Sequence, residues 1–129
     1  MRLTPAVIEL VVADMSATVA FYRRLGLELS DDVADEGHVE TTIGGMRLAF
    51  DTREMIRSFD PHWTPPKGGH RVALAFEATS PAEVDAAYEE LTSAGAPGHL
   101  SPFDAPWGMR YAVVLDPDGT PVDLFAASA

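Results

Sequence analysis

The chain has 129 residues, no cysteine, and 20 acidic against 9 basic side chains, a formal net charge of −11. That balance excludes a basic nucleic-acid-binding face and disfavours anionic membranes, while the missing cysteines exclude disulfides, thiolate metal sites and thiol nucleophiles. A chain of this length fits one domain, or two half-domains folding together, burying roughly two-thirds of its unfolded surface without a metal or disulfide staple.

In chain order, residues 6–12 (AVIELVV) read as a first strand. Asp14 or Ser16 caps a helix with an apolar stripe of Thr18, Phe21, Tyr22 and Leu25, ending near Gly26. Leu27–Ser30 reads as a short strand and the acidic DDVADEG as a turn. His38–Ile43 and Met46–Asp51 flank Gly44-Gly45, a two-residue hairpin signal. Residues 52–69, with Pro61, Pro65, Pro66, Gly68 and Gly69, read as a linker. Arg71–Glu77 reads as the next strand. Ser80-Pro81-Ala82-Glu83 is a capping box with proline at the first helical position, followed by the stripe Val84, Ala87, Tyr88 and Leu91 and a stop at Gly95. Residues 96–108 have room for one short edge strand. Tyr111–Leu115 and Pro121–Ala126 are strands joined by the tight turn Asp116-Pro117-Asp118-Gly119.

The two halves repeat at a constant offset of 66 residues: Val7 maps to Ala73, Asp14 to Ser80, Tyr22 to Tyr88 and Leu25 to Leu91. The expected fold class is α+β, with two βαβββ modules whose curled mixed sheets surround a cavity. The expected organisation is a single domain over 1–129, made of a first module at about 4–52, a linker at about 53–69 and a second module at about 70–127. No long apolar run follows Met-Arg-Leu-Thr-Pro, so neither a signal peptide nor a spanning helix is expected, and the expected compartment is the cytoplasm.

Strand side chains alternate between faces. Ile8, Leu10 and Val12, then Val72, Leu74 and Phe76, then Val122 and Leu124 are the sets expected beneath the helices. Glu9, Arg71 and Asp123 then point to the opposite face. Burying three unpaired ionisable groups costs several kcal/mol each, so that face reads as a partly wet pocket; an Arg71–carboxylate pair serving structure alone is the competing reading.

The paired modules carry Val11-Val12-Ala13-Asp14 with Phe21-Tyr22 and Leu25-Gly26. They end in Trp107-Gly108-Met109-Arg110 followed by Asp116-Pro117-Asp118-Gly119-Thr120-Pro121-Val122-Asp123-Leu124-Phe125. Over nearly the whole chain this resembles the vicinal oxygen chelate superfamily of glyoxalases, bleomycin-resistance proteins and dioxygenases. The resemblance implies cup-shaped sheets, often completed by dimerisation. It also implies metal-ligand places at Val7, Ala73, Asp123, and Leu48 or Ala49. Only Asp123 could ligate, and one carboxylate does not hold a transition metal. No metal and no cofactor are therefore expected. Convergence of Glu9, Asp123 and a histidine would be needed to rebuild a site.

The resulting expectation is a metal-free protein that binds or sequesters an aromatic or cationic small molecule, as a homodimer without nucleic-acid or membrane partners. Candidate ligand contacts are Glu9, Arg71 and Asp123 on the strands, His38 and Glu40 on the third strand, and Trp63 and Trp107 on the loops; Phe103 adds to the loop aromatics. The alternative is a glyoxalase-like lyase or isomerase, or a dioxygenase, using a metal or Glu9 as a general base in an apolar cup with Arg71 holding an anion. A scaffold module with a filled cavity is the third reading. No serine has a visible His/Asp partner, so no nucleophile is expected.

Overall fold

A computed structural model describes every residue except Asp31, Ala34 and Ala129, so part of the acidic turn expected at 31–37 lies outside the described residues. The chain divides into two compact units, Met1–Lys67 and Gly68–Ala129.

The first unit runs β1 (Ile8–Val12), α1 (Met15–Arg24), β2 (His38–Ile43), β3 (Met46–Thr52) and α2 (Arg53–Arg57). Its three-stranded sheet has the order β1-β3-β2, with β1 parallel and β2 antiparallel to β3. Asp14 caps α1: its side chain accepts from the Ala17 N–H at 3.0 Å, satisfying one of the free donors of the first turn. Arg23 and Arg24 occupy the last turn, where positive charge complements the helix dipole. Gly44 and Gly45 both have positive φ, 56° and 81°, the backbone a two-residue hairpin of this kind requires. The helix covers the sheet face carrying Leu10, Phe50 and Val39, where fully buried Tyr22 stacks on fully buried Phe50 with centroids 5.0 Å apart.

The second unit runs β4 (Leu74–Glu77), α3 (Pro81–Ser93), β5 (Gly98–Ala105), β6 (Met109–Leu115) and β7 (Pro121–Ala127), in the sheet order β4-β7-β6-β5. β4 is parallel to β7 and the other pairs are antiparallel. Ser80 caps α3 by accepting from the Glu83 N–H at 3.2 Å. The Glu83 carboxylate reaches one residue further back than a standard capping box, to the Thr79 N–H and hydroxyl at 3.1 and 3.0 Å. Leu74, Ala112, Val114, Val122, Leu124 and Ala126 are buried, as are Val84 and Leu91 of α3. Arg110 ties β6 to α3 through two N–H donors to the Asp85 carboxylate at 2.9 and 3.2 Å, an exposed but bidentate pair. In the final turn Asp116 Oδ1 accepts from the Asp118 and Thr120 amides at 2.9 and 2.8 Å, fixing the β6–β7 register.

The α+β class with two open mixed sheets is as expected. The 66-residue offset reappears as matched elements, with β1 starting at Ile8 and β4 at Leu74, and caps at Asp14 and Ser80. Several local expectations are corrected. Leu27–Ser30 forms no strand: Leu27 is buried and the Glu28 carbonyl is held by the Thr41 hydroxyl at 3.1 Å instead of a ladder. β1 begins at Ile8, where its pairing with Leu48 starts, and Ile8 itself is partly exposed. β4 begins at Leu74 because its partner β7 starts only after the Asp116–Gly119 turn; residues 71–73 have no strand to join, and Val72 is 53% exposed instead of packed under α3. The region read as linker contains α2, capped by Thr52, whose hydroxyl accepts from the Met55 N–H at 3.1 Å. β5 is a full edge strand of 8 residues that accommodates Gly98 and Pro102 through two register shifts, as an edge position permits.

Candidate functional site

In each sheet the face opposite the helix holds the chemistry. In the first unit the register aligns Glu9, Ala49 and Glu40 in one row and Val11, Asp51 and His38 in the next. His38 Nδ1 lies 2.5 Å from an oxygen of Asp51, and Nε2 lies 2.9 Å from Glu40 Oε2. An imidazole with a carboxylate at both nitrogens satisfies both contacts only as a double donor, the imidazolium. The His38 pKa is accordingly raised, first by the Glu40 hydrogen bond and then by Asp51, against a smaller opposing effect of burial. Glu40 also accepts from Arg47 Nη2 at 2.6 Å and Nε at 3.2 Å, and its pKa is lowered by His38 and Arg47. The row is thus a charge-balanced chain, Asp51–His38–Glu40–Arg47, anchored at its buried Asp51 end. Glu9 stands exposed beside Ala49.

In the second unit the corresponding face is aromatic. Tyr111 pairs with Phe125 across β6–β7 and with Phe103 across β5–β6. The Tyr111 and Phe125 rings stack at 6.4 Å and 26°; Trp107 meets Tyr111 edge-on at 5.4 Å and Phe103 at 6.3 Å. Trp107 remains 57% exposed at the β5–β6 turn. Asp123 sits between Ala75 and Val113 on the same face, and its Oδ2 accepts the Tyr111 hydroxyl proton. Burial first, then Asp123, pushes the Tyr111 pKa up to about 12.

The expected site residues belong to both units. Glu9, His38 and Glu40 share a face of the first sheet, while Asp123 and Trp107 belong to the aromatic face of the second. Arg71 is an exposed residue of the segment before β4, outside any strand, so the face position expected for it is corrected. Trp63 stays in the segment after α2, where the Arg57 guanidinium lies 5.3 Å from its ring centroid and Arg57 Nε donates to its carbonyl at 3.3 Å. That contact fastens the segment. Asp51, Arg47, Tyr111 and Phe125 are not singled out by sequence reasoning. The signal for the first two was the alternation Arg47-Ala49-Asp51; for the others it was the turn-fixed hairpin, which puts Tyr111 and Asp123 on one face. A surface cleft of about 810 Å³ beside the end of α1, lined by Arg23, Arg24 and Leu27 among others, contains none of these groups.

The places where metal ligands were implied do not fit a cation. Val7, Leu48, Ala49 and Ala73 have no donor atom, and Asp123 is engaged by Tyr111. Among the described residues no group of three or more His, Asp or Glu side chains is arranged to hold a metal ion.

The family model described as the Glyoxalase/Bleomycin resistance protein/Dioxygenase superfamily matches residues 4–124, and the chain belongs to that superfamily. It is 32% identical to a glyoxalase/bleomycin resistance protein/dioxygenase from Nocardioides, with a TM-score of 0.75 over 99% of this chain and 85% of that one. A family enzyme from Burkholderia phytofirmans PsJN is 19% identical, with a TM-score of 0.82 over 95% and 97%. A glyoxalase-related enzyme from Fulvimarina pelagi is 23% identical, with a TM-score of 0.80 over 95% and 87%. The last two likenesses are of fold alone. Comparison with curated proteins gives no significant match.

Proposed function

We propose that the chain binds a planar aromatic small molecule bearing positive charge, through the aromatic face of its second unit, without a metal. The observation that carries this reading is the contiguous set Phe103, Trp107, Tyr111 and Phe125 beside the Asp123 carboxylate, with the largest ring of the set more than half exposed. An apolar surface of that size serves folding poorly where it meets water, and suits a flat ligand that stacks on it. A net charge of −11 draws cations towards the protein and repels anions. Metal-dependent lyase or dioxygenase chemistry is the less supported reading, because Asp123 is the one implied place with a donor atom and the others are hydrocarbon.

Calorimetric titration with a panel of flat aromatic cations tests the proposal. At least one member binds with micromolar or better affinity, and Trp107→Ala weakens it about tenfold, the size expected for losing one stacking ring. A panel without binders, or full affinity in the variant, overturns it.

A further inference from the structure

Tyr111 joins the two parts of the aromatic face. Its ring is held between Phe125 and Trp107, and its hydroxyl donates to Asp123 Oδ2. The phenol hydroxyl is the donor of that bond and the carboxylate the acceptor. A carboxylate offers roughly four acceptor positions, and a single hydroxyl proton fills one of them. The flanking residues on the same face, Ala75 and Val113, have no side-chain donor. No described protein group donates to the other oxygen, Oδ1. Ala75, the register partner of Asp123, is small and exposed.

We propose that Tyr111 is the specificity-determining residue of this face. By anchoring one Asp123 oxygen it presents the other to a protonated nitrogen on the edge of a ring stacked against Trp107, so that aromatic cations are selected over neutral rings of the same shape. The proposal rests on the aromatic-binding reading above and goes beyond it by naming the charge-reading pair. An anchored carboxylate loses less freedom when it pairs, and a hydrogen bond from a charged donor is about twice as strong as a neutral one. Discrimination therefore depends on the hydroxyl as well as on the carboxylate.

The test uses the full chain and two probes of one ring shape: 9-aminoacridine, a cation at neutral pH with N–H donors, and acridine, neutral at that pH. Calorimetry at about 0.15 M salt limits long-range attraction to a screening length of about 8 Å. The native chain prefers the cation by about tenfold or more. Tyr111→Phe lowers the cation-to-neutral ratio by at least about threefold, and Asp123→Asn brings it close to one. A ratio preserved in Tyr111→Phe overturns the proposal, whatever happens to overall affinity. Should that variant lack a cooperative melt, Asp123→Asn decides: an unchanged ratio overturns the proposal. Equal native affinity for both probes overturns the proposal and leaves the aromatic reading standing. No binding of either probe overturns the proposal, and the panel titration above then decides the aromatic reading.

Discussion

Replacing His38 with alanine isolates the charge chain of the first sheet. Asp51 is 5% exposed and pairs with His38 Nδ1 at 2.5 Å. Removing the imidazole leaves a buried carboxylate without that donor, a loss of about 2–3 kcal/mol for a charged group. The Glu40 arm is exposed to solvent and is omitted from that figure. For a chain of this size the loss corresponds to a melting-temperature drop of roughly 6–10 °C. The pH dependence has a definite sign. The folded His38 pKa lies above the ordinary 6.5, so its contribution is fully present below pH 6.5 and is lost as pH rises through the folded value. Urea unfolding of both proteins from pH 5.5 to 9 therefore gives a stability difference that is largest at the acid end and shrinks with rising pH. A difference below about 0.5 kcal/mol, or one constant across that range, would refute the doubly donating imidazolium.

Further expectations follow from the packing and the site. Phe50→Ala removes the ring beneath Tyr22 in the first core and lowers stability by about 3–5 kcal/mol in a denaturant titration. Ser80→Ala removes the α3 cap at the Glu83 N–H and lowers stability by about 1 kcal/mol, read the same way. Dialysed protein titrated with zinc, nickel or manganese shows no stoichiometric tight binding, because Asp123 is the one implied ligand place with a donor atom and a single carboxylate does not hold a transition metal.

What could be read from the chain was what local chemistry decides. Asp14, Ser80 and the paired glycines act within three or four residues of themselves, and their elements stand where the spacing put them. The start of β4 depends on a partner 48 residues away, Val122, so Arg71–Ala73 looked like strand on propensity yet has nothing to pair with. The Asp51–His38 contact was within reach of the sequence, because the Gly44-Gly45 hairpin that pairs Ile43 with Met46 carries the register on to His38 and Asp51. On the polar face of the first unit Glu9 was legible because β1 could be phased against its own helix, and His38 and Glu40 were legible as candidates on their strand. Tyr111 and Asp123 were within reach, since the Asp116 turn fixes the hairpin that aligns them. Trp63 and Trp107 are both loop tryptophans, and sequence spacing cannot tell the one fastened by Arg57 from the one left on an aromatic face.

Because the chain has 2 tryptophans, Trp63→Phe leaves Trp107 as the sole indole reporter. Titrating that variant with 9-aminoacridine while following indole emission asks directly whether the aromatic face receives a flat cation. Saturable quenching that levels off at one ligand per chain is the expected result. Emission that stays flat while calorimetry records binding would place the ligand elsewhere and contradict the account.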